Sequence, residues 1–413
     1  MGKLNNEAKK IKKWIWEDKK YPNVFFDIST NIEILALIED IKNRKNILDG
    51  YSVFFDEKNL LNTKIETLLD EIINTSLIEG IELTRKSVRS SLRKKLDREF
   101  DEFADTHATR YTDHIADLFL DANLNKKPLS MERLHGWHNC LFEGQYSGLH
   151  KIRVADFRNE EIEVVSGPIG YEKVHYQGVP CEQILQDMEK FIDFCNNSKL
   201  NPYIKSSIAH LWFVVIHPYD DGNGRISRVI ADYLLPKQEN IKLYSLSTQI
   251  NANKKEYYDV LEHTTNLLYN RDCNLNLWIK YHLKTIKHSM ENGIKQVEKV
   301  IQKTRFWDKF KTASLNDRQV KVLNKMFDSS EDAFLINLNR YVSIAKTNKE
   351  TAQNEINELL NLGCIKQVSN KSFAISVDEI KSATMLQTQP TQNSYVQDNS
   401  NDDDYTPSSG LKF

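Results

Sequence analysis

Cysteine is scarce in this chain: five in 413 residues, at 140, 181, 195, 273 and 364, odd in number and without a CxxC pair. That argues against a disulfide framework and against a structural zinc site. No run of about 18 apolar residues occurs, and the N-terminus MGKLNNEAKKIKKWIWEDKK has no apolar h-region, so neither a spanning helix nor a secretory leader is expected. No membrane association and a cytoplasmic location are the resulting expectations. Neither sign of charge is in excess: 56 Lys and Arg face 58 Asp and Glu, a formal net charge of -2. Without a bulk positive field, any recognition of phosphate has to be local. The two commonest nucleotide signatures are also missing, since there is no GxxxxGKS or GxxxxGKT loop and no GxGxxG following a strand.

What is present is an ordinary globular composition, 40% hydrophobic and 28% charged. Residues 8–55 are rich in aromatics (Trp14, Trp16, Tyr21, Phe25, Phe26) and predict a small helical module packed onto something larger. From Lys58 to Asn74 the apolar positions Leu61, Ile65, Leu68, Leu69, Ile72 and Ile73 recur at helical spacing and predict an amphipathic helix ending at TSLIEGIE. Helical patterns continue over 85–99, 107–123, 130–142, 181–196, 202–216, 223–235, 254–268 and 275–303. The interruption at 158–180 reads as a β-hairpin, with Ile162, Val164 and Val165 before Ser-Gly-Pro-Ile-Gly and Val174, His175 and Tyr176 after it. Past Lys311 the order helix, helix, turn, helix, two short strands is that of a winged helix. The final stretch is poor in apolar residues and is expected to be disordered. The fold class is therefore mainly α, with one hairpin and an α+β module at the C-terminal end.

The stretch 217–228, HPYDDGNGRISR, follows a strongly apolar helix and concentrates polar chemistry. Gly222, Asn223 and Gly224 lie where a turn enters a helix, so backbone N–H groups can converge on a phosphate. A carboxylate at Asp221 beside such an anion site is electrostatically wrong unless a divalent cation lies between, and Mg2+ is the natural bridge. Arg225 and Arg228 stand three residues apart and can neutralise further phosphates. His217 is the group here that titrates nearest neutrality and can act as a base. Each feature has a plainer reading when taken singly, as a helix connection, a solvated arginine pair or a packed histidine. Together within one short stretch they point to phosphate chemistry.

The stretch resembles the signature of the Fic family, in which His-Pro-Phe, an acidic residue, Gly-Asn-Gly-Arg and a second Arg occur at this spacing; Tyr219 replaces the Phe, and its hydroxyl needs a partner. TSLIEG at 75–80 resembles the inhibitory motif of those members that carry their own inhibitor in cis. The resemblance implies transfer of AMP from ATP to a Ser, Thr or Tyr hydroxyl of a target protein, with pyrophosphate released. In that reading His217 is the base, Asp221 holds Mg2+, Asn223 and the backbone amides of Gly222 and Gly224 take the α-phosphate, Arg225 the β-phosphate and Arg228 the γ-phosphate. Glu79 pairs with Arg228 and blocks it. The hairpin corresponds to a flap whose Val164, Val165, Ser166 and Gly167 contact target or nucleotide, and Tyr257 lies against the base. The implied organisation is a helical Fic-associated module at 1–56, an inhibitory helix region at 57–99, a catalytic core at 100–290, a connector helix at 291–304, a winged-helix domain at 305–377 and a disordered tail at 378–413. Removal of AMP and use of another nucleotide donor are compatible with the same residues, and a homodimer is left open. A DNA-binding regulator with a Fic-like sensor core is the alternative of another class. The expected recognition segment, KTNKETAQNEINELLNLG, carries Glu350, Glu355 and Glu358 among few cations, which argues against strong DNA binding.

Overall fold

The computed structural model describes residues 13–376 apart from 27, 29–30, 53, 98, 100, 102–104, 167, 169–170, 172, 237–241 and 329–334. The expected disordered tail at 378–413 and the flap residue Gly167 lie outside the described residues. Within them the chain is mainly α, with fourteen α-helices and three two-stranded antiparallel hairpins.

Three helices follow the aromatic N-terminal segment: α1 (Ile32–Ser52), α2 (Glu57–Ile78) and α3 (Arg85–Leu96). The aromatics do pack onto a larger body, since Phe25 stacks on Trp212 with ring centroids 4.9 Å apart and Trp16 donates its indole N–H to the Gln177 carbonyl at 2.8 Å. Asp56 caps α2 by accepting from the Asn59 N–H, and Ile65, Leu68, Leu69, Ile72 and Ile73 form its buried face. The helix ends at Ile78, within the expected TSLIEGIE stretch; in its last turns the Ser76 hydroxyl donates to the Ile72 carbonyl and Thr75 is buried. It stops at Gly80, whose φ of +76° allows the Gly80 N–H to reach the Leu77 carbonyl and the Ile81 N–H to reach that of Ser76. This double contact is a Schellman cap, and it leaves Glu79 as the last residue of the helix end.

The central unit comprises α4 (Arg110–Leu124), α5 (Met131–Leu141), the short strands β1 (Tyr146–Ser147) and β2 (His150–Lys151), the flap strands β3 (Glu163–Ser166) and β4 (Lys173–Gln177), and helices α6 (Cys181–Asn197), α7 (Pro202–Ile216), α8 (Asn223–Tyr233), α9 (Leu246–Ala252) and α10 (Lys254–Thr265). Its axis is α7, started by Pro202 behind an Asn201 cap and buried on almost every side. The β1–β2 pair and α9 were not expected from the pattern, being too short to establish a period.

Helix α11 (Asn276–Lys309) is continuous and lies along α1. Lys287 pairs with Asp40, Glu291 with Arg44 and Glu298 with Tyr51, each 247 residues apart, so the two helices run parallel in fixed register. The stretch 291–304, expected as a connector, is therefore packed structure: its Val297 and Ile301 are buried and Thr304 meets Asn59 of α2.

The C-terminal module consists of α12 (Asp317–Phe327), α13 (Leu338–Ala345), α14 (Lys349–Asn361), β5 (Ile365–Ser369) and β6 (Ser372–Ile375), with Ile336 bridged to Phe373. Its apolar core includes Phe306, Leu323, Tyr341, Ile356 and Leu359. Glu355, named above among the acidic residues of the expected recognition segment, is buried; Tyr341 and Arg318 both donate to its carboxylate at 2.9 Å and Asn316 does so at 3.0 Å. Glu355→Ala would strand those donors and destabilise the module by about 2–3 kcal/mol. Hydrogen exchange on the full chain would report it as accelerated exchange confined to α12–α14, and unchanged protection there would refute the keystone role.

Candidate active site

The loop between α7 and α8 is built backbone first. His217 caps α7 in the left-handed conformation, at φ 53° and ψ 58°. Tyr219 then turns inward and is fully buried. Its ring stacks on His138 at 4.1 Å, and its hydroxyl finds the required partner in Nδ1 of His135 at 3.2 Å. Asn223 clamps the turn by accepting the Tyr219 N–H at 3.0 Å and donating to the Tyr219 carbonyl at 2.7 Å. The side chain expected on a phosphate is thus committed to the loop, leaving the Asn223 backbone N–H at the helix end. Gly222 is the cap of α8 at φ +83°, and a Cβ there would come within 2.9 Å of the Phe142 ring. The first N–H groups of α8 have no intrahelical acceptor, and the positive end of the helix dipole adds to them.

The two arginines of α8 separate. Arg228 lines a cavity of about 590 Å³ together with His217, Asp221, Asn223 and Gly224; Arg225 does not. Arg225 lies over the Phe142 ring at 4.9 Å, with Asp221 3.8 Å away, so it supports the loop from behind. Of the two arginines expected on phosphate, Arg228 lines the cavity and Arg225 does not. Asp221 accepts from the Gly222 N–H and from the Ser147 hydroxyl and keeps 42% of its side chain exposed. Among the described residues no group of three or more His, Cys, Asp or Glu could hold a metal. Asp221, a partly exposed carboxylate just ahead of α8, is the kind of donor that fits Mg2+, which is commonly held by one or two carboxylates plus phosphate oxygens.

Arg228 is 2% exposed. The last turn of α2 reaches over it: Glu79 Oε1 accepts from its terminal nitrogen at 2.6 Å, the Thr75 hydroxyl from Nε at 2.8 Å, and the Thr75 carbonyl completes the set at 3.2 Å. Burial alone would lower the Arg228 pKa, but the Glu79 carboxylate more than reverses this and raises it. Its remaining nitrogen has no partner and lies beside Gly224. The Glu79 carboxylate sits directly on Gly224, where any Cβ would collide with it. A second contact holds α2 against α8 farther back: buried Lys242 pairs with Asp232 and, at 3.6 Å, with Glu71.

His217 is held as a neutral imidazole. Its Nδ1 lies 3.1 Å from the Val214 carbonyl, which can only accept, so Nδ1 carries the proton and Nε2 keeps a free lone pair. Burial, aided by the nearby Arg158 cation, lowers its pKa from 6.5 to about 4 despite that bond. Arg158 was missed in the sequence. Its guanidinium is buried and donates to the His217 carbonyl at 2.7 Å and the Glu160 carbonyl at 2.8 Å, and also to Val179, tying the flap's base to the catalytic loop. His138, likewise missed, receives the Ala155 N–H on Nδ1 and so presents Nε2–H to the Asp221 carbonyl at 3.1 Å. Neither has a local motif that could have marked it, since each acts across more than fifty residues.

The flap forms the cavity's other wall. Val164, Val165 and Ser166 are exposed on β3. Tyr257, expected against a nucleotide base, touches the cavity but is 1% exposed, with its hydroxyl on His210 Nε2 at 3.0 Å. The ring offered to a ligand is that of Tyr258, 41% exposed.

Residues 128–235, which contain the whole loop and the flap, match the family model described as "Fic/DOC family". Residues 14–97, including Glu79, match a model described as "Domain of unknown function (DUF4172)". Among curated relatives, the protein adenylyltransferase Fic of Drosophila ananassae is 23% identical over 220 residues, 50% of this chain and 41% of that protein. The protein of the same name from Drosophila willistoni is 39% identical over 70 residues, 14% of each chain. The chain thus spans less than half the length of these relatives. Similar solved structures include a Fic family protein from Desulfovibrio desulfuricans G20, at 15% identity and TM-score 0.49 over 86% of this chain and 99% of that one. Fic-1 from C. elegans is similar at 18% identity and TM-score 0.45, over 64% and 73%.

The geometry of His217 sets a pH dependence. Its folded pKa lies below the unfolded one, so the unfolded chain takes up the proton first as pH falls. The stability it contributes is full above about 6.5 and is lost as pH drops toward 4. His138 shifts in the same direction, also mainly by burial. Ring nitrogen NMR shifts should show His217 neutral and protonated on Nδ1 at pH 6, and titration near 6.5 would contradict the placement.

Proposed function

We propose that the protein is a self-inhibited protein adenylyltransferase that moves AMP from ATP to a Ser, Thr or Tyr hydroxyl of a target protein and releases pyrophosphate. The observation that carries this reading is the Glu79–Arg228 ion pair seated on Gly224, in one cavity with a neutral His217. A buried guanidinium requires an anion, and a phosphate entering over Gly224 competes with Glu79 for that position. ATP would lay its α-phosphate on the α8 N-terminus and its terminal phosphate on Arg228 once Glu79 withdraws. Mg2+ held by Asp221 would offset the negative charge of the phosphates. His217 Nε2 would take the proton of the target hydroxyl, and the exposed edge of β3 would align the target backbone. Tyr258 is the ring placed to meet the base.

The C-terminal module fits a protein-docking role better than DNA reading, because Lys349 is the lone cation of α14. No helix among the described residues is long and apolar enough to cross a membrane.

The test is mass spectrometry after incubation with ATP and Mg2+, on the protein itself and on lysate proteins. Glu79→Gly should gain AMP at least about tenfold faster than wild type, the loss of roughly 1.4 kcal/mol of differential binding being enough for that. Glu79→Gly/His217→Ala should place none on lysate proteins. Equal transfer by wild type and Glu79→Gly would sink the inhibition, and absence of AMP in all three would sink adenylyl transfer in favour of AMP removal or another donor.

A further inference from the structure

Three side chains on the flap side of the cavity play no part in the reading above, yet they are hydrogen-bonded in series. Ser166 Oγ lies 2.6 Å from Nε2 of His175, and Nδ1 of His175 lies 2.8 Å from Oε2 of Glu262. The proton order follows from the acceptor at the end of the series. A carboxylate can only accept, so Nδ1 carries hydrogen; in the neutral imidazole Nε2 is then bare and the Ser166 hydroxyl donates to it. Glu262 is ionised: burial raises its pKa, but hydrogen bonds from His175 and Lys173 outweigh this and hold it below the usual range.

The three residues come from three elements, β3, β4 and α10, and the hairpin is irregular where they meet. Val164 pairs with Tyr176 and Val165 with Val174, which leaves His175 as the extra residue of a β-bulge. Bulges re-aim side chains and recur beside active sites. Lys173 donates to both Glu262 oxygens, at 3.1 Å to Oε1 and 3.4 Å to Oε2, and Oε2 is the one that orients His175. Ser166 is exposed, and all three residues line the same cavity as His217. A serine donating to an imidazole that is oriented by a carboxylate is the arrangement that makes a hydroxyl nucleophilic.

We propose that Ser166 is a second reactive centre of the cavity, a serine activated by His175 and Glu262 that accepts an adenylyl group from ATP and so becomes a self-modification site on the flap. Ser166 Oγ attacks the α-phosphorus, and the new O–P bond forms as the bond to the pyrophosphate oxygen breaks. The proton passes to His175 Nε2, Glu262 pairs with the imidazolium, and pyrophosphate leaves with the electron pair of the broken bond. The identity of the transferred group rests on the adenylyltransferase reading, while the reactivity of Ser166 does not.

Two measurements separate these parts. In the first, the wild-type chain is treated with a fluorophosphonate probe and the label is mapped by peptide mass spectrometry. Ser166 should be labelled, with the rate at least about tenfold lower in His175→Asn and in Glu262→Gln, the factor expected when a general base or its orienting partner is lost. In the second, Glu79→Gly is incubated with ATP and Mg2+, and AMP should appear on the peptide holding Ser166 and vanish from it in Glu79→Gly/His175→Asn. An unlabelled Ser166, or equal labelling in His175→Asn, overturns the triad whatever the AMP result. AMP on other residues with Ser166 bare overturns Ser166 as the acceptor. A labelled Ser166 in a chain that transfers no AMP anywhere overturns the adenylyl assignment here together with the transferase reading.

Discussion

A buried arginine cannot stand without a counter-charge, and the architecture around Arg228 answers to that constraint. Desolvating a guanidinium costs several kcal/mol unless an anion and enough acceptors accompany it. Here the acceptors are Thr75 and Glu79, two residues a helical turn apart on α2, brought to α8 from a part of the chain some 150 residues away. Because Gly224 offers no Cβ, the carboxylate can lie flat against the start of α8, where the helix dipole also favours it. The same two properties, a stranded cation and exposed N–H groups, suit a polyphosphate. The site that holds an internal carboxylate is thus the one the proposed function gives to a ligand anion.

The base is held by a different logic. His217 sits in a backbone conformation that ordinary residues adopt reluctantly, and Arg158 compensates by binding its carbonyl from the flap side. Loop and flap are therefore one mechanical unit. In the proposed function, a target strand added to β3 would press on an element already bonded to the proposed base, His217.

The catalytic loop was legible because its chemistry is local: a short stretch holds the turn, the glycines, the acid and the base, and their order along the chain is their order in space. The helices of the core were legible for the same reason, their period being written in consecutive residues. Three things were not. Arg158 and His138 act across long sequence separations, so nothing beside them marks the contact. The roles of Asn223, Arg225 and Tyr257 depend on which way each side chain leaves the helix, and packing against Tyr219, Phe142 and His210 decided that. The stretch 291–304 was read as a connector from the length of its helical pattern, and length says nothing of the parallel partner against which Val297 and Ile301 are buried.

The position of Glu79 at a Schellman cap has a mechanical meaning. Helix ends fray at far lower free energy than helix centres, and α2 is anchored one and two turns earlier by Thr75 and by the buried Glu71–Lys242–Asp232 cluster. Parting the carboxylate from the guanidinium therefore requires only the unravelling of a single turn beyond Thr75, with the rest of the helix left in place. Anything that grips Ile81 and the residues after it, whether a neighbouring chain or a bound partner, would set how often that turn opens.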